Sequence, residues 1–338
     1  MSGSPRVTVA GAGVLGLATA LALADAGCKV TVCDPGGANA SSVAAGMIAP
    51  AFEAVLDTAA RPHLDLLMAA RDLWPRLAQR AGLALDRSGT LAVGDARWLA
   101  GVASGFAGLD LRPTILGGET ARGLAPGLSE AFGEALLSRE DWKVDAPTAM
   151  AGLVAAATAA GVEFRRDVVR GRGEADVLVV ATGAAKSLVE VAPELARLSP
   201  IKGHIVRVAA PAQGVTVRGE GIYAAPGSDM AFGATMEPGR ADVAVEADKA
   251  AGLLAAGLRL FPGLTGARAQ AAAGVRAATA DGLPMVGPGE TRGVMLAVGS
   301  RRNGWLLAPL AAQVIAACVT GRDPGPLAAR LDPGRFAG

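Results

Sequence analysis

Residues 6–34, RVTVAGAGVLGLATALALADAGCKVTVCD, decide the fold. Arg6-Val7-Thr8-Val9-Ala10 is a short β-rich run that ends at Gly11-Ala12-Gly13-Val14-Leu15-Gly16. A helical stretch follows to Gly27, which supplies the left-handed stop favoured at helix ends. Lys29 to Cys33 is β-rich again and closes on Asp34, about 20 residues beyond the glycine loop. Strand, GxGxxG, helix, strand and acid together make a complete nucleotide-binding βαβ unit. Gly11 permits the tight turn, and Gly13 removes a Cβ that would block a pyrophosphate from the amides at the helix start. Gly16 lets helix and strand pack closely. Asp34 can accept from both ribose hydroxyls, which favours FAD or NAD over NADP; the unit alone does not choose between those two.

The stretch after Asp34, PGGANASSVAAGMIA over 35–49, reads as having no regular element. A nicotinamide enzyme of the simple type would enter another crossover helix here. Small side chains instead let backbone approach a flat ring or a phosphate, and the Ser41 and Ser42 hydroxyls can serve phosphate oxygens. The loop therefore points to flavin.

The rest of the composition bounds the answer. The 338 residues suffice for about two domains, and 46 glycines with few aromatics suit tight βα turns. A net charge of +1 gives no argument for nucleic acid or an anionic membrane. Cys28, Cys33 and Cys318 form no CxxC pair, and the odd count argues against a disulfide framework, so a reducing cytoplasm is expected. His63 and His204 lack ligand spacing, and no metal is expected. The apolar stretch from Gly304 to Thr320 carries Pro309 and Gln313 and falls short of the ~20 residues a bilayer needs. No basic segment precedes an apolar core at the N-terminus, so no signal peptide is expected.

Farther along, Pro62 to Ala81 is expected to be one helix, with Leu64, Leu67, Met68, Leu73 and Leu77 as its apolar stripe. Residues 82–141 break into short pieces. Ala146 to Ala160 reads as a helix. DVLVVA over 176–181 is a strand buried on both faces, closed by Thr182-Gly183. Strand signals follow at 203–208, 215–225, 230–235 and 268–276, with a helix near 246–260. Val294 to Val298 is a last strand, and Gly304 to Cys318 a last helix.

AAGMIAP at 44–50, read after the βαβ unit, resembles the D-amino-acid-oxidase-type flavoproteins, nearest their glycine-oxidase branch of thiamine biosynthesis. The resemblance recurs in order at KGHIVRV (202–208), IYAAPG (222–227), FGATMEPG (232–239), AGVRAATADGLPMVGP (273–288) and AVGSRRNGWLLAP (297–309). It implies an α/β fold: a Rossmann-type FAD-binding domain, GR2/DAO-like, with a second α+β substrate domain containing a mostly antiparallel sheet. The FAD-binding domain is expected from 1–80, 142–200 and 277–338, and the substrate domain from 81–141 and 201–276.

The same resemblance implies noncovalent FAD, since no cysteine occurs in the substrate-domain or Arg276 blocks. Beside Gly11, Gly13, Val14, Leu15, Gly16 and Asp34, the expected cofactor residues are Pro35, Ala40, Ser41, Ala45, Gly46 and Met47. Val168, Thr182 and Gly183 follow, then Ser300, Arg301, Asn303, Gly304, Trp305 and Leu306; in the substrate clamp itself Arg301 is read as solvent-facing or structural. The last helix, beginning at Asn303-Gly304, would turn its positive end to the flavin N1–C2=O edge. For the substrate, Arg302 is implied as the bidentate carboxylate partner and Arg276 as its neighbour, because the planar guanidinium fork stays charged when desolvated. Tyr223, the sole tyrosine, would hydrogen-bond the carboxylate, and Met236 would line the pocket. No general base is identified.

Three positions depart from the family pattern: Ser300 replaces histidine, Ala277 proline and Gly227 arginine. The expected activity is oxidative deamination of a small amino acid, glycine first, with oxygen as the second substrate. A sarcosine or D-amino-acid oxidase, or an amino-acid dehydrogenase passing electrons elsewhere, is the alternative. No nucleic acid and no membrane span are expected, and self-association into a homo-oligomer stays open.

Overall fold

Val7, Val9, Val30 and Val32 alternate inward on two neighbouring strands, and that pattern seeds the first sheet. In the computed structural model, which describes residues 4–210 and 213–336, Arg6–Ala10 pairs in parallel with Lys29–Cys33 on one side and Val177–Val180 on the other. The full six-stranded order is Met285–Pro288, Val294–Val298, Val177–Val180, Arg6–Ala10, Lys29–Cys33, Glu163–Arg165. Only the edge strand Met285–Pro288 runs antiparallel. The helix Val14–Asp25 packs against the helix Gly304–Val319, both almost wholly apolar, as central crossover helices must be; the latter, expected to be the last, is followed by the short helix Ala328–Leu331.

A nine-stranded sheet forms the second layer system. Ser199–Val208 is its hub, pairing antiparallel with Ala269–Ala278 over ten residues, and with Met230–Gly233 and Glu237–Pro238. These two long strands run across the expected 200/201 and 276/277 boundaries, so backbone hydrogen bonds join the lobes there. The helix Ala247–Leu260 covers this sheet through Leu253, Gly257 and Leu260. No helix among the described residues is long and apolar enough to cross a membrane.

Three sequence expectations change. The helix expected over 62–81 is a short 3-10 turn, Arg61–His63, then two helices, Leu64–Asp72 and Trp74–Ala81. Pro75 causes the break, because it has no N–H to return to the preceding turn. The loop 35–49 contains one helical turn, Ala40–Val43, whose Asn39 side chain accepts from the Ser41 and Ser42 amides at 3.0 Å. The 215–225 signal splits into Thr216–Gly219 and Ile222–Pro226, turned at Gly221 with φ +68°.

Candidate active site

Two connected openings lie between the sheets. A cleft of about 630 Å³ runs along the ends of the parallel strands. A cavity of about 450 Å³ continues from it into the second lobe, and Arg276, Arg302 and Trp305 line both.

The cleft collects most of the residues expected to hold the cofactor. Gly11, Gly13, Val14, Leu15, Asp34 and Pro35 line it, with Ala40 and Ser41 from the following loop. Val168, Thr182 and Gly183 form its far wall, and Ser300, Arg301, Gly304 and Trp305 its near one. Ala45, Gly46, Met47 and Asn303 line the adjoining cavity. Gly16 and Leu306 line neither opening; Leu306 is core, and a Cβ on Gly16 would sit 2.0 Å from the Gly11 carbonyl oxygen. Gly16 serves close packing.

The loop geometry fits a dinucleotide. Gly11 adopts φ +113°, and a Cβ there would stand 2.4 Å from the Ala181 carbonyl oxygen. Gly13 begins the helix without any side-chain cap of its own, so the end that favours anions opens on the cleft. The Val14 amide donates to Ser41 Oγ at 3.0 Å. Asp34 is fixed by its surroundings: Ala12 N–H donates to Oδ2 and Gly36 N–H to Oδ1, each at 2.7 Å. Trp305 Nε1 donates to the Ser41 carbonyl at 3.2 Å, tying this loop to the helix Gly304–Val319.

The cavity brings the expected substrate residues together. Arg301 N–H donates to the Ala277 carbonyl at 2.7 Å, and Ala278 bridges Ser300, so the turn before the helix Gly304–Val319 is stitched to the strand carrying Arg276. Arg301 takes φ +51° to make this turn, and its guanidinium pairs with Asp57. Arg276 lies across Gly203, where a Cβ would meet its Nη1 at 2.1 Å, and donates to the Thr235 carbonyl at 3.2 Å. Met236 Sδ is 3.8 Å from the same nitrogen. The Tyr223 ring packs on Gly233. Burial raises the Tyr223 hydroxyl pKa against the pull of nearby Arg276, so the phenol stays protonated and can donate.

Three residues that sequence reading missed complete the site. Glu53, on the helix Pro50–Leu56, is buried and faces two cations. Its Oε2 accepts from Arg302 Nε at 2.9 Å and also from Nη2, while Oε1 accepts from Arg218 Nη2 at 3.1 Å. Burial alone raises the Glu53 carboxyl, but Arg302 and Arg218 outweigh it and hold it below the ordinary range. Arg218 sits over the Phe52 ring at 5.6 Å. Asp141 is fully buried behind the same helix and accepts from the Ala51 and Phe52 amides at 2.8 and 3.2 Å. The available signal, for Glu53 alone, was a lone acid inside the apolar run PAFEAVL, which must find a partner when buried; Arg218 and Asp141 have other charged residues close by in sequence.

His204, Glu237 and Glu246 also cluster in the second lobe. His204 Nε2 accepts the Glu246 amide at 3.1 Å, its Nδ1 meets Thr235 and Glu237, and Lys202 holds Glu246. These atoms are committed to the fold.

Residues 6–318 match the family model described as FAD dependent oxidoreductase (DAO). The chain belongs to this family. The glycine oxidase of Geobacillus kaustophilus is 31% identical over 94% of this chain and 93% of its own length. The glycine oxidase of Pseudomonas aeruginosa is 30% identical over 99% of this chain and 98% of its own. The crystal structure of the Geobacillus enzyme superposes with a TM-score of 0.81 at 28% identity, covering 99% of this chain and all of that one. The protein is an FAD-dependent enzyme of the amino-acid-oxidase type, with the α/β fold of that family.

Proposed function

We propose that this enzyme oxidatively deaminates a small amino acid, glycine first, binding FAD without a covalent link in the joint cleft. Bound FAD supplies the acceptor for the two electrons removed from substrate, and oxygen reoxidises it to give hydrogen peroxide. The substrate Cα–N unit loses two electrons and two protons to become an imine. Water then converts the imine to glyoxylate and ammonia.

The observation that carries this reading is the environment of Arg276. Its part-buried guanidinium donates to the Thr235 carbonyl and weakly to Met236 Sδ, both from Nη1, and among the described residues no carboxylate lies within ion-pair distance of it. Burial lowers its pKa, which marks a cation held away from water beside Tyr223. A desolvated guanidinium next to a phenol donor suits a substrate carboxylate. Arg302, by contrast, already gives Nε and Nη2 to Glu53. The bidentate role expected for Arg302 therefore moves to Arg276, with Arg302 beside it and Met236 against the substrate.

The chain's other groups position and enclose. Gly11, Gly13 and Ser41 shape the pyrophosphate end of the cleft, Asp34 the ribose end, and Met47 and Trp305 the junction with the cavity. Peroxide release with glycine, sarcosine and small D-amino acids tests the proposal. Saturable release with at least one of them is expected; none from the whole set refutes it. Sarcosine is the second reading, because the cavity extends past Glu53 to Leu56 and Trp98.

A further inference from the structure

Glu53 is the only carboxylate lining the 450 Å³ cavity among the described residues, and it stands among three guanidinium groups. An amino acid entering that space brings an acid and an amine. The acid has Arg276 and Tyr223. The amine, cationic in solution, meets Arg276, Arg302 and Arg218, all of which repel it. Glu53 alone offsets that repulsion.

The hydrogen-bond inventory leaves room for such a contact. An ionised carboxylate offers about four acceptor sites. Arg302 fills two on Oε2 and Arg218 one on Oε1, so Oε1 keeps one. The helix carrying Glu53 is held rigid: Asp141 caps its first amides, and Phe52 packs edge-on against Phe106 with ring centroids 5.0 Å apart. Arg218 is wedged over Phe52 with its Nε buried and unpartnered, which fixes the carboxylate from the second side.

We infer that Glu53 is the specificity residue for the substrate nitrogen: its Oε1 takes an amine N–H while Arg276 takes the acid. This rests on the amino-acid reading above and adds to it a reason why an acid without the amine is a poor fit. Arg218 is a positioning residue that aims the carboxylate and tempers its charge.

The test compares ligands that differ only at that nitrogen. On the flavin-loaded enzyme, glycine is measured by KM, and glycolate and acetate by the dissociation constants of their visible-absorbance perturbation. In Glu53→Gln the KM for glycine is expected to rise roughly tenfold or more, the worth of one charge-assisted hydrogen bond, while glycolate and acetate bind as well as before or better. A purely structural role would weaken all three together, and that result, or no change in any, overturns the inference. Should Glu53→Gln not fold, Arg218→Met leaves Glu53 paired to Arg302 alone. Its less neutralised charge then shifts preference toward glycine over glycolate, and an unchanged ratio overturns the inference. The Arg276 assignment fails separately, if glycolate binding survives Arg276→Ala.

Discussion

Glu53 and Arg302 lie 249 positions apart in sequence, yet one carboxylate oxygen of the first accepts two hydrogen bonds from the fork of the second. That pairing joins the first third of the chain to the turn before the helix Gly304–Val319. It also decides which arginine is available. A guanidinium that spends Nε and Nη2 on a buried acid has no bidentate edge left on that side, whereas Arg276 donates to a carbonyl and a thioether through Nη1 alone.

The two arginines should therefore fail differently. Arg276→Ala is expected to keep its flavin and melting temperature and to lose about 2–5 kcal/mol of substrate binding, seen as a raised KM. Arg302→Ala strands part of the Glu53 charge and is expected to lower stability by on the order of 2 kcal/mol, discounted for Arg302 being 26% exposed. Thermal melts beside steady-state kinetics separate them; equal KM effects with unchanged melts would reverse the assignment.

Gly13→Val tests the cleft. A Cβ at Gly13 stands 3.3 Å from Ser41 Oγ, and the rest of the valine fills the approach to the helix amides. The variant should purify with little or no yellow colour while its far-UV circular dichroism stays native. Full flavin content would remove this loop from the cofactor site.

Asp141 sets a pH dependence. Burial pushes its carboxyl up to about 7, against Arg218 and the Ala51 and Phe52 amides. A folded-state pKa above the unfolded one means that the native state holds the proton more tightly. The stabilisation is then complete below about pH 4 and is lost as pH rises toward 7, by on the order of 4 kcal/mol. Asp141→Asn should flatten that slope in urea unfolding followed at several pH values between 4 and 7. An unaltered slope would show that Asp141 is not the titrating group.

How far the sequence was legible follows from how local each feature is. The βαβ unit is complete within residues 6–34, and its strands pair in the order the pattern implies. The last strand, Val294–Val298, and the long helix after it, Gly304–Val319, were readable for the same reason, while the short helix Ala328–Leu331 beyond them was not. Residues 82–141 were not, because their strands are short and are separated by helices and irregular chain, and one of them finds a neighbour only in a distant segment. Thr90–Ala92 is three residues long and sits between Thr216–Gly219 and Glu134–Ser138. Ser300 stands where the family pattern has histidine, yet the turn keeps its pairing to Ala278 through backbone. Glu53, Arg218 and Asp141 escaped notice because the partners that explain them come from distant segments: Arg302 and Arg218 for Glu53, and the Ala51 and Phe52 amides for Asp141. Nor does the sequence alone distinguish Arg302 from Arg276, because Glu53, the acid that pairs with Arg302, lies 249 positions away.

Anaerobic reduction tests the central claim most directly. The purified yellow protein, mixed with glycine or sarcosine without oxygen, is expected to lose its oxidised-flavin absorbance, and Arg276→Ala to do so only at far higher substrate concentration. Absorbance that persists with every small amino acid, or bleaching equally concentration-dependent in the Arg276→Ala variant, would contradict an amino-acid carboxylate held by Arg276 beside the flavin.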